Sequence, residues 1–146
     1  TEAVSAPRRP AGGPLSPTPG AATRLPAHLV SLGRVLLAAL PAEPRAHYLA
    51  TAELKKVTPR TVIDADALAE QLQRADEQGY AWVDGELDPA ICGIAVPVRD
   101  HAGKVVAAIS INTISGTIDE AAAKAKFLVA LRRTAQDIRT QTSPAG

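Results

Sequence analysis

The spacing of apolar residues changes twice along this chain of 146 residues, and this constrains the fold more than any other feature. Leucines recur at steps of three and four between residues 29 and 40, which is the spacing of one helical face. Residues 80–113 instead contain short runs in which apolar and polar residues alternate, as they do in strands. Helical spacing returns after residue 117. This order predicts an α+β domain in which helices cover an antiparallel sheet.

Three helices are predicted ahead of the strands. The first has Ser31 as a candidate N-cap, and the second covers residues 42–52. The third begins at Asp64 or Asp66, either of which can accept a hydrogen bond from the first helical N–H groups. It ends before Gly79, because glycine readily adopts the left-handed conformation found at helix C-termini.

Three strands are predicted, over residues 80–83, 91–98 and 104–113. The turn at residues 100–103 joins the last two strands into a hairpin. Pro97 has no N–H group to offer a sheet, so we expect it at an unpaired edge or a bulge.

The last helix is predicted to open with a capping box made by Thr117 and Glu120. Its predicted inner face consists of Ala121, Ala125, Leu128, Leu131, Ala135 and Ile138.

Both ends of the chain differ in composition from the middle. Residues 1–22 are dense in Pro and Gly and poor in large apolar residues, so this segment is predicted to be a disordered tail. Residues 141–146 are predicted to be a second, shorter tail. The remaining residues, 23–140, are expected to form one domain.

Composition excludes several classes of protein. The net charge of +1 gives no basic field for nucleic acid. Cys92 is the only cysteine, which fits a reducing compartment. No apolar run approaches the roughly 20 residues that span a bilayer, and the N-terminus has no signal-peptide core. These features predict a cytoplasmic protein.

The sequence offers no set of residues for catalysis, so we expect a protein that is not an enzyme and needs no cofactor or metal. The histidines have no second ligand at helical spacing. Cys92 lies in a predicted strand, where a buried core residue is a better interpretation than a nucleophile. Asp84, Glu86 and Asp88 are interpreted as a solvated loop, although that loop leads directly into an apolar strand.

Two polar residues lie on one face of the third strand. Ser110 and Asn112 alternate with apolar neighbours, on a face that we expect to be largely covered. Covered hydroxyl and amide groups need partners, which are either backbone groups or a small polar ligand.

Several segments, taken in order, resemble the effector-binding domain of IclR-type bacterial transcription regulators. Residues 23–40, which start T-R-L-P-A-H, resemble the segment that opens the long central helix of that domain. Arg74 and residues 78–81 are similar to its R-x-x-G-Y-A motif, shifted by one or two positions. Residues 82–100 are similar to its D-x-E and G-x-x-x-I-A-x-P-V-x-D stretch, and residues 103–111 resemble the next strand of the family. The nearest subgroup is the regulators of aromatic-acid (β-ketoadipate) catabolism.

The resemblance implies a GAF/profilin-like domain that senses a small organic acid and works as a homodimer or homotetramer. DNA is then bound by a winged helix-turn-helix that precedes this domain, and this chain alone binds neither DNA nor membrane. The family's effector-binding positions correspond to Ser31, Leu32, Val83, Asp84, Ile91, Gly93, Ser110 and Asn112.

The chain departs from the family pattern at its N-terminus. Family members have strands ahead of the T-R-L-P segment, whereas this chain has the Pro/Gly-rich residues 1–22. We therefore expect a sheet that lacks its N-terminal strands. A truncated interaction or oligomerisation module that has lost ligand binding is the alternative to a sensor.

Overall fold

The computed structural model of the chain describes residues 2–5 and 23–141. The strands are β1 (Glu2–Ser5), β2 (Thr23–Pro26), β3 (Ala81–Asp84), β4 (Ile91–Arg99) and β5 (Val105–Ile114). The α-helices are α1 (Ser31–Ala38), α2 (Ala42–Thr51), α3 (Ala65–Gln78), α4 (Glu120–Ala123) and α5 (Val129–Gln141). A 3-10 turn (Ala27–Leu29) precedes α1, and a π-helical segment (Lys124–Leu128) joins α4 to α5.

The strands form two antiparallel sheets. β3, β4 and β5 form a three-stranded sheet in that order, and β1 pairs with β2. β3 pairs with residues 92–95 of β4, so among the described strands Pro97 has a neighbour on one side alone, that of β5. A register shift follows at Val98/Arg99. The position of Pro97 therefore agrees with the prediction from its missing N–H group.

Helices cover both faces of the three-stranded sheet. Apolar residues of α1, α2 and α3 pack on one face, against Ala81 and Ala95. The C-terminal helices pack on the other face, against Ile94, Val96 and Val98. Alternation along β4 explains this division, because successive side chains point to opposite faces. The α+β class predicted from the sequence is confirmed.

Helix α3 begins and ends as its sequence predicts. Of the two candidate caps, Asp64 is the N-cap, and its side chain accepts a hydrogen bond from the Asp66 N–H at 3.3 Å. Gly79 follows the last turn with φ of 76°, the left-handed conformation that favours glycine.

Helix α1 begins without a side-chain cap, contrary to the prediction for Ser31. Ser31 is the first helical residue, and the N-cap is Val30, which is extended and has no side-chain acceptor. The prediction failed because the leucine spacing does not show where the 3-10 turn ends and α1 begins.

The start of the last helix also differs from the prediction. Asp119, not Thr117, is the N-cap, and its carboxylate accepts a hydrogen bond from the Ala122 N–H at 2.8 Å. The Thr117 hydroxyl donates to the Ile114 carbonyl instead.

The inner face of the last helix begins at Ala123, whereas Ala121 and Ala125 are exposed. It continues at Leu128, Leu131 and Ala135 as predicted. The π-helical segment adds a residue to one turn, so the inward spacing from Ala123 to Leu128 is five residues.

The N-terminal residues require a correction. Residues 1–22 were predicted to be disordered, but Glu2–Ser5 form a strand paired with Thr23–Pro26. The prediction extended the Pro/Gly-rich composition of the later residues to residues 1–5, which contain neither residue type. The rest of the predicted tail, at 6–22, and residues 142–146 lie outside the described residues.

Candidate functional site

A cavity of about 280 Å³ lies between the start of α1 and the α1-facing side of the sheet. Its volume is near the lower end of the range for small-molecule sites, roughly 300–1,000 Å³. This α1 cavity is lined by Leu29, Val30, Ser31, Leu32, Val83, Glu86, Leu87, Asp88, Ile91, Cys92, Gly93, Ser110 and Asn112. Most of the lining is apolar, with a few polar groups among it.

Pairing across the sheet brings three lining residues into one row. Val83 on β3 is opposite Gly93 on β4, and Gly93 is opposite Asn112 on β5. A Cβ atom added to Gly93 would lie 2.2 Å from Asn112 Oδ1 and 3.0 Å from Ser31 Oγ. The missing side chain of Gly93 thus leaves room where polar groups of α1 and β5 come close together.

Ser110 and Asn112 lie on the same face of β5, as their alternation predicted. Asn112 Nδ2 lies 3.5 Å from Ser110 Oγ, a long contact in which the amide donates. The expected cover over this face is incomplete, since Asn112 is exposed and Ser110 is half-buried. No described strand lies beyond β5 in its sheet, so these groups stand at the open side of the cavity.

The first turn of α1 borders the same cavity through Ser31 and Leu32, whereas Gly33, in the same turn, is not part of the lining. The N–H groups of Ser31, Leu32 and Gly33 precede the first intrahelical hydrogen bond, in which the Arg34 N–H donates to the Val30 carbonyl at 3.0 Å. Val30 supplies no side-chain acceptor for them. Such uncapped donors, together with the helix dipole, favour an anionic group.

All of the residues predicted from the resemblance except Asp84 line the cavity. Asp84 lies next to Val83 in β3, so its side chain points to the other face. Its carboxylate accepts a hydrogen bond from the Ser115 hydroxyl at 2.5 Å and pairs with the Arg60 guanidinium at 3.0 Å. Asp84 is therefore a link between surface segments and does not line the cavity.

Glu86 is a lining residue that the sequence interpretation missed. It was interpreted as part of a solvated loop, but it is buried and pairs with Arg34 of α1, which is 2% exposed. Asp88, in the same loop, is exposed as predicted. The signal that could have revealed the pair is Arg34 itself, a charge within an apolar helix that needs a partner when buried.

A second buried polar group lies beside this pair. His28 Nδ1 is hydrogen-bonded to the Tyr48 hydroxyl at 3.0 Å, and the Arg34 Nε–H donates to the His28 carbonyl at 2.8 Å. His28 Nε2 is buried with no hydrogen-bond partner among the described residues. Burial, and then the nearby Arg34 charge, lower the pKa of His28 below its ordinary value of 6.5.

Cys92 is the only thiol of the chain, and its surroundings make it unreactive. Cys92 is fully buried in β4, as predicted for a core residue, and burial followed by the Asp84 charge raises its pKa. A raised pKa keeps the thiol protonated and unreactive. Within residues 2–5 and 23–141, no group of His, Cys, Asp or Glu is arranged to hold a metal ion. No helix in the same part of the chain is long and apolar enough to cross a membrane.

Comparison with protein-family models identifies the family. Residues 20–140 match the C-terminal domain of the bacterial transcriptional regulator IclR. This chain belongs to the IclR family. The resemblance found in the sequence is confirmed, and the relatives that the chain matches are regulators and repressors of transcription, not enzymes.

A curated relative and two solved structures are similar over most of the chain. The Pca regulon regulatory protein of Pseudomonas putida is 37% identical over 115 residues, which cover 79% of this chain and 40% of the relative. The inducer-binding domain of Acinetobacter PobR, a double mutant solved with 3-hydroxybenzoic acid, has a TM-score of 0.76 and 30% identity, covering 87% of this chain and 73% of that one. An IclR homologue of Microbacterium hydrocarbonoxydans, complexed with 4-hydroxybenzoate, has a TM-score of 0.72 and 34% identity, covering 90% and 51%.

These matches concern one part of longer proteins, since the chain spans about two fifths of the length of the curated relatives. They assign the chain to the C-terminal domain of IclR-family transcriptional regulators.

Proposed function

We propose that this domain senses a small organic acid, with an aromatic acid as the first class to consider, and that the acid occupies the α1 cavity. The observation that supports this most is a convergence: the uncapped start of α1 and the polar pair Ser110 and Asn112 border the same largely apolar cavity. A few polar groups within an apolar lining are the usual composition of a small-molecule site.

The acid's carboxylate is assigned to the start of α1. The N–H groups of Ser31, Leu32 and Gly33 can donate to it, and the helix dipole favours its charge. No Lys, Arg or His side chain belongs to the cavity lining in the described part of the chain. Recognition of the charge by backbone donors, and not by an ion pair, is therefore the chemistry that this site supports.

The far end of the acid is assigned to β5. Ser110 and Asn112 can exchange hydrogen bonds with a polar substituent such as a ring hydroxyl. Leu32 and Ile91 would contact the apolar body of the ligand. Two structural neighbours were solved with 3-hydroxybenzoic acid and 4-hydroxybenzoate, and each of these acids carries a carboxylate and a hydroxyl on one aromatic ring.

The response to the acid is assigned to α1. This helix borders the cavity and also packs against α3 and the sheet, so a change in its seating would alter the packing between layers. As the resemblance implies, we place the protein in the cytoplasm, in a homodimer or homotetramer whose DNA contacts lie outside this domain.

Calorimetry with 4-hydroxybenzoate and 3-hydroxybenzoate tests the assignment. We expect Ser110→Ala and Asn112→Leu each to weaken binding by about threefold to tenfold, the loss of one neutral hydrogen bond. Thr113→Ala, on the opposite face of β5, is the control and should leave binding unchanged. Unchanged affinity in both cavity variants would contradict the assignment of these residues.

The exposed edge of β5 supports the alternative function, an interaction or oligomerisation module that binds no effector. Val106 and Ile114 on this strand are 58% and 63% exposed, and β5 has no strand beyond it among the described residues. Sedimentation of the wild type and of Val106→Lys, with and without the two acids, separates the two functions. Self-association that Val106→Lys abolishes, with no binding of either acid, would favour the module.

A further inference from the structure

Glu86 creates an electrostatic problem for an acid in the α1 cavity. It belongs to the cavity wall formed by Glu86, Leu87 and Asp88, and its side chain is only 9% exposed. A buried carboxylate is poorly screened by solvent, so its charge would oppose an anionic ligand nearby. Asp88 is exposed, and its carboxylate accepts a hydrogen bond from the Ala90 N–H at 2.9 Å.

Arg34, which lies outside the cavity lining, neutralises the charge of Glu86. Its Nη2 donates to Glu86 Oε1 at 2.5 Å, and its Nε donates to the His28 carbonyl at 2.8 Å. With its side chain 2% exposed, the guanidinium is held in one place by α1 and by the turn before it. Arg34 itself is not part of the cavity lining.

The segment at residues 57–62 holds the same wall from a second side. The Val62 N–H donates to Glu86 Oε1 at 3.1 Å, and the Thr61 hydroxyl donates to the Glu86 carbonyl at 2.8 Å. The Thr58 hydroxyl donates to the Gly85 carbonyl at 2.5 Å. Since these contacts fix the backbone on either side of its side chain, Glu86 cannot simply turn away from the cavity when its charge is unbalanced.

We propose that Arg34 is a positioning residue that determines charge specificity: by pairing with Glu86 it keeps this part of the cavity wall in place and balances its buried negative charge, so that the site accepts an acid. This inference rests on the proposed function. Arg34 contacts no ligand, yet it determines which ligand charge the site accepts.

Replacing Glu86 and replacing Arg34 should have opposite effects on the preference of the site for an anionic ligand. Glu86→Gln keeps an acceptor for Arg34 and for the Val62 N–H but leaves the buried positive charge unbalanced, which favours an anionic ligand. Arg34→Met leaves the negative charge unbalanced, which disfavours it. A purely structural role would instead weaken the binding of charged and neutral ligands alike in both variants.

The experiment compares 4-hydroxybenzoate with 4-hydroxybenzamide, which has the same ring and hydroxyl but no charge. Binding of each is measured by calorimetry, and the ratio of the two affinities is the readout. Glu86→Gln should raise the acid-to-amide ratio by about threefold to tenfold and Arg34→Met should lower it by about the same factor. The double variant should return the ratio to within about twofold of the wild type.

Arg45→Met is the matched control, because Arg45, like Arg34, donates to a backbone carbonyl, that of Ala38 at 3.2 Å, and lies outside the cavity lining. Its ratio should equal that of the wild type. Thermal melts verify folding, and if Arg34→Met does not fold, Glu86→Gln alone decides. A ratio that is unchanged or lowered in Glu86→Gln overturns the role of Arg34, whereas a wild type that binds neither ligand overturns the proposed function and this inference with it.

Discussion

Gly93 shows how a single residue shapes the α1 cavity. It lies in the middle strand, paired with Val83 on one side and Asn112 on the other. Its backbone has no unusual conformation, so the reason for glycine here is space. Any side chain would enter the gap between Asn112 Oδ1 and Ser31 Oγ.

We therefore predict that Gly93→Ala weakens acid binding by about tenfold or more while changing stability little. The added methyl group displaces the Asn112 side chain, which is exposed and free to move outward. Calorimetry with 4-hydroxybenzoate and a thermal melt provide the two measurements. Ala107→Val, which adds bulk at an exposed position of β5, is the control. Full affinity in Gly93→Ala would show that acid binding does not depend on the position of the Asn112 side chain.

Helices α3 and α1 differ at their ends, and this difference corresponds to their different roles in the fold. Helix α3 is capped by Asp64 and terminated by Gly79, and it serves the core through Leu68 and Leu72. Helix α1 lacks a side-chain cap, which leaves its N–H groups available where it meets the cavity. A missing cap lowers helix stability, so its occurrence at the candidate site is consistent with a functional use of those donors.

The start of the last helix gives a test of the observed cap against the predicted one. Asp119→Ala should lower the free energy of unfolding by about 1 kcal/mol, because it removes the acceptor for the Ala122 N–H. Thr117→Ala should lower it by less than about 0.5 kcal/mol, since its hydroxyl is exposed and caps no helix. Urea unfolding measures both values. The reverse order would restore the capping box predicted from the sequence.

Across the whole molecule, buried polar contacts connect segments far apart in the chain. His28, in the turn before α1, is hydrogen-bonded to Tyr48 of α2 and to Arg34 of α1, and Arg34 also pairs with Glu86 of the β3–β4 loop. Removing one member leaves a buried polar group without its partner, which is costly in a low-dielectric interior. This cluster is thus a junction between the helical layer and the cavity wall.

His28 makes the stability of the fold dependent on pH. Because its pKa is lowered in the folded state, the unfolded chain takes up the proton first as the pH falls below 6.5. The contribution of neutral His28 to the stability of the fold is complete above that pH. It is lost as the pH falls toward the pKa of His28 in the folded state. Protonation would place an imidazolium beside the Arg34 guanidinium, and the Glu86 carboxylate would offset this repulsion in part.

We predict that the melting temperature of the wild type falls between about pH 7.5 and about pH 5.5, and that His28→Gln loses much of this dependence. The slope of the melting temperature against pH is compared between the wild type and His28→Gln. A loss of packing in the variant lowers its melting temperature at every pH, whereas loss of the titrating group changes the slope. His47→Gln, at an exposed position of α2, should keep the wild-type slope. An unchanged slope in His28→Gln would remove His28 as the cause.

By itself the sequence determined the fold class, and its resemblance to a family predicted about half of the residues that line the α1 cavity. Leucine spacing, strand alternation and the Asp64 and Gly79 signals are local, since each depends on residues within a few turns. The resemblance to IclR-type domains added the positions around Ser31, Gly93 and Ser110, which the fold then brings to one cavity. Local periodicity and ordered motifs carry this information without tertiary contacts.

Only the tertiary structure decided the roles of Asp84, Glu86 and Arg34. Asp84 and Glu86 are two residues apart in one acidic stretch, yet one pairs with Arg60 at the surface and the other with Arg34 in the interior. The pairing of β1 with β2 and the π-helical segment before α5 were equally hidden. The physical reason is that burial and pairing depend on residues distant in sequence, which local patterns do not specify.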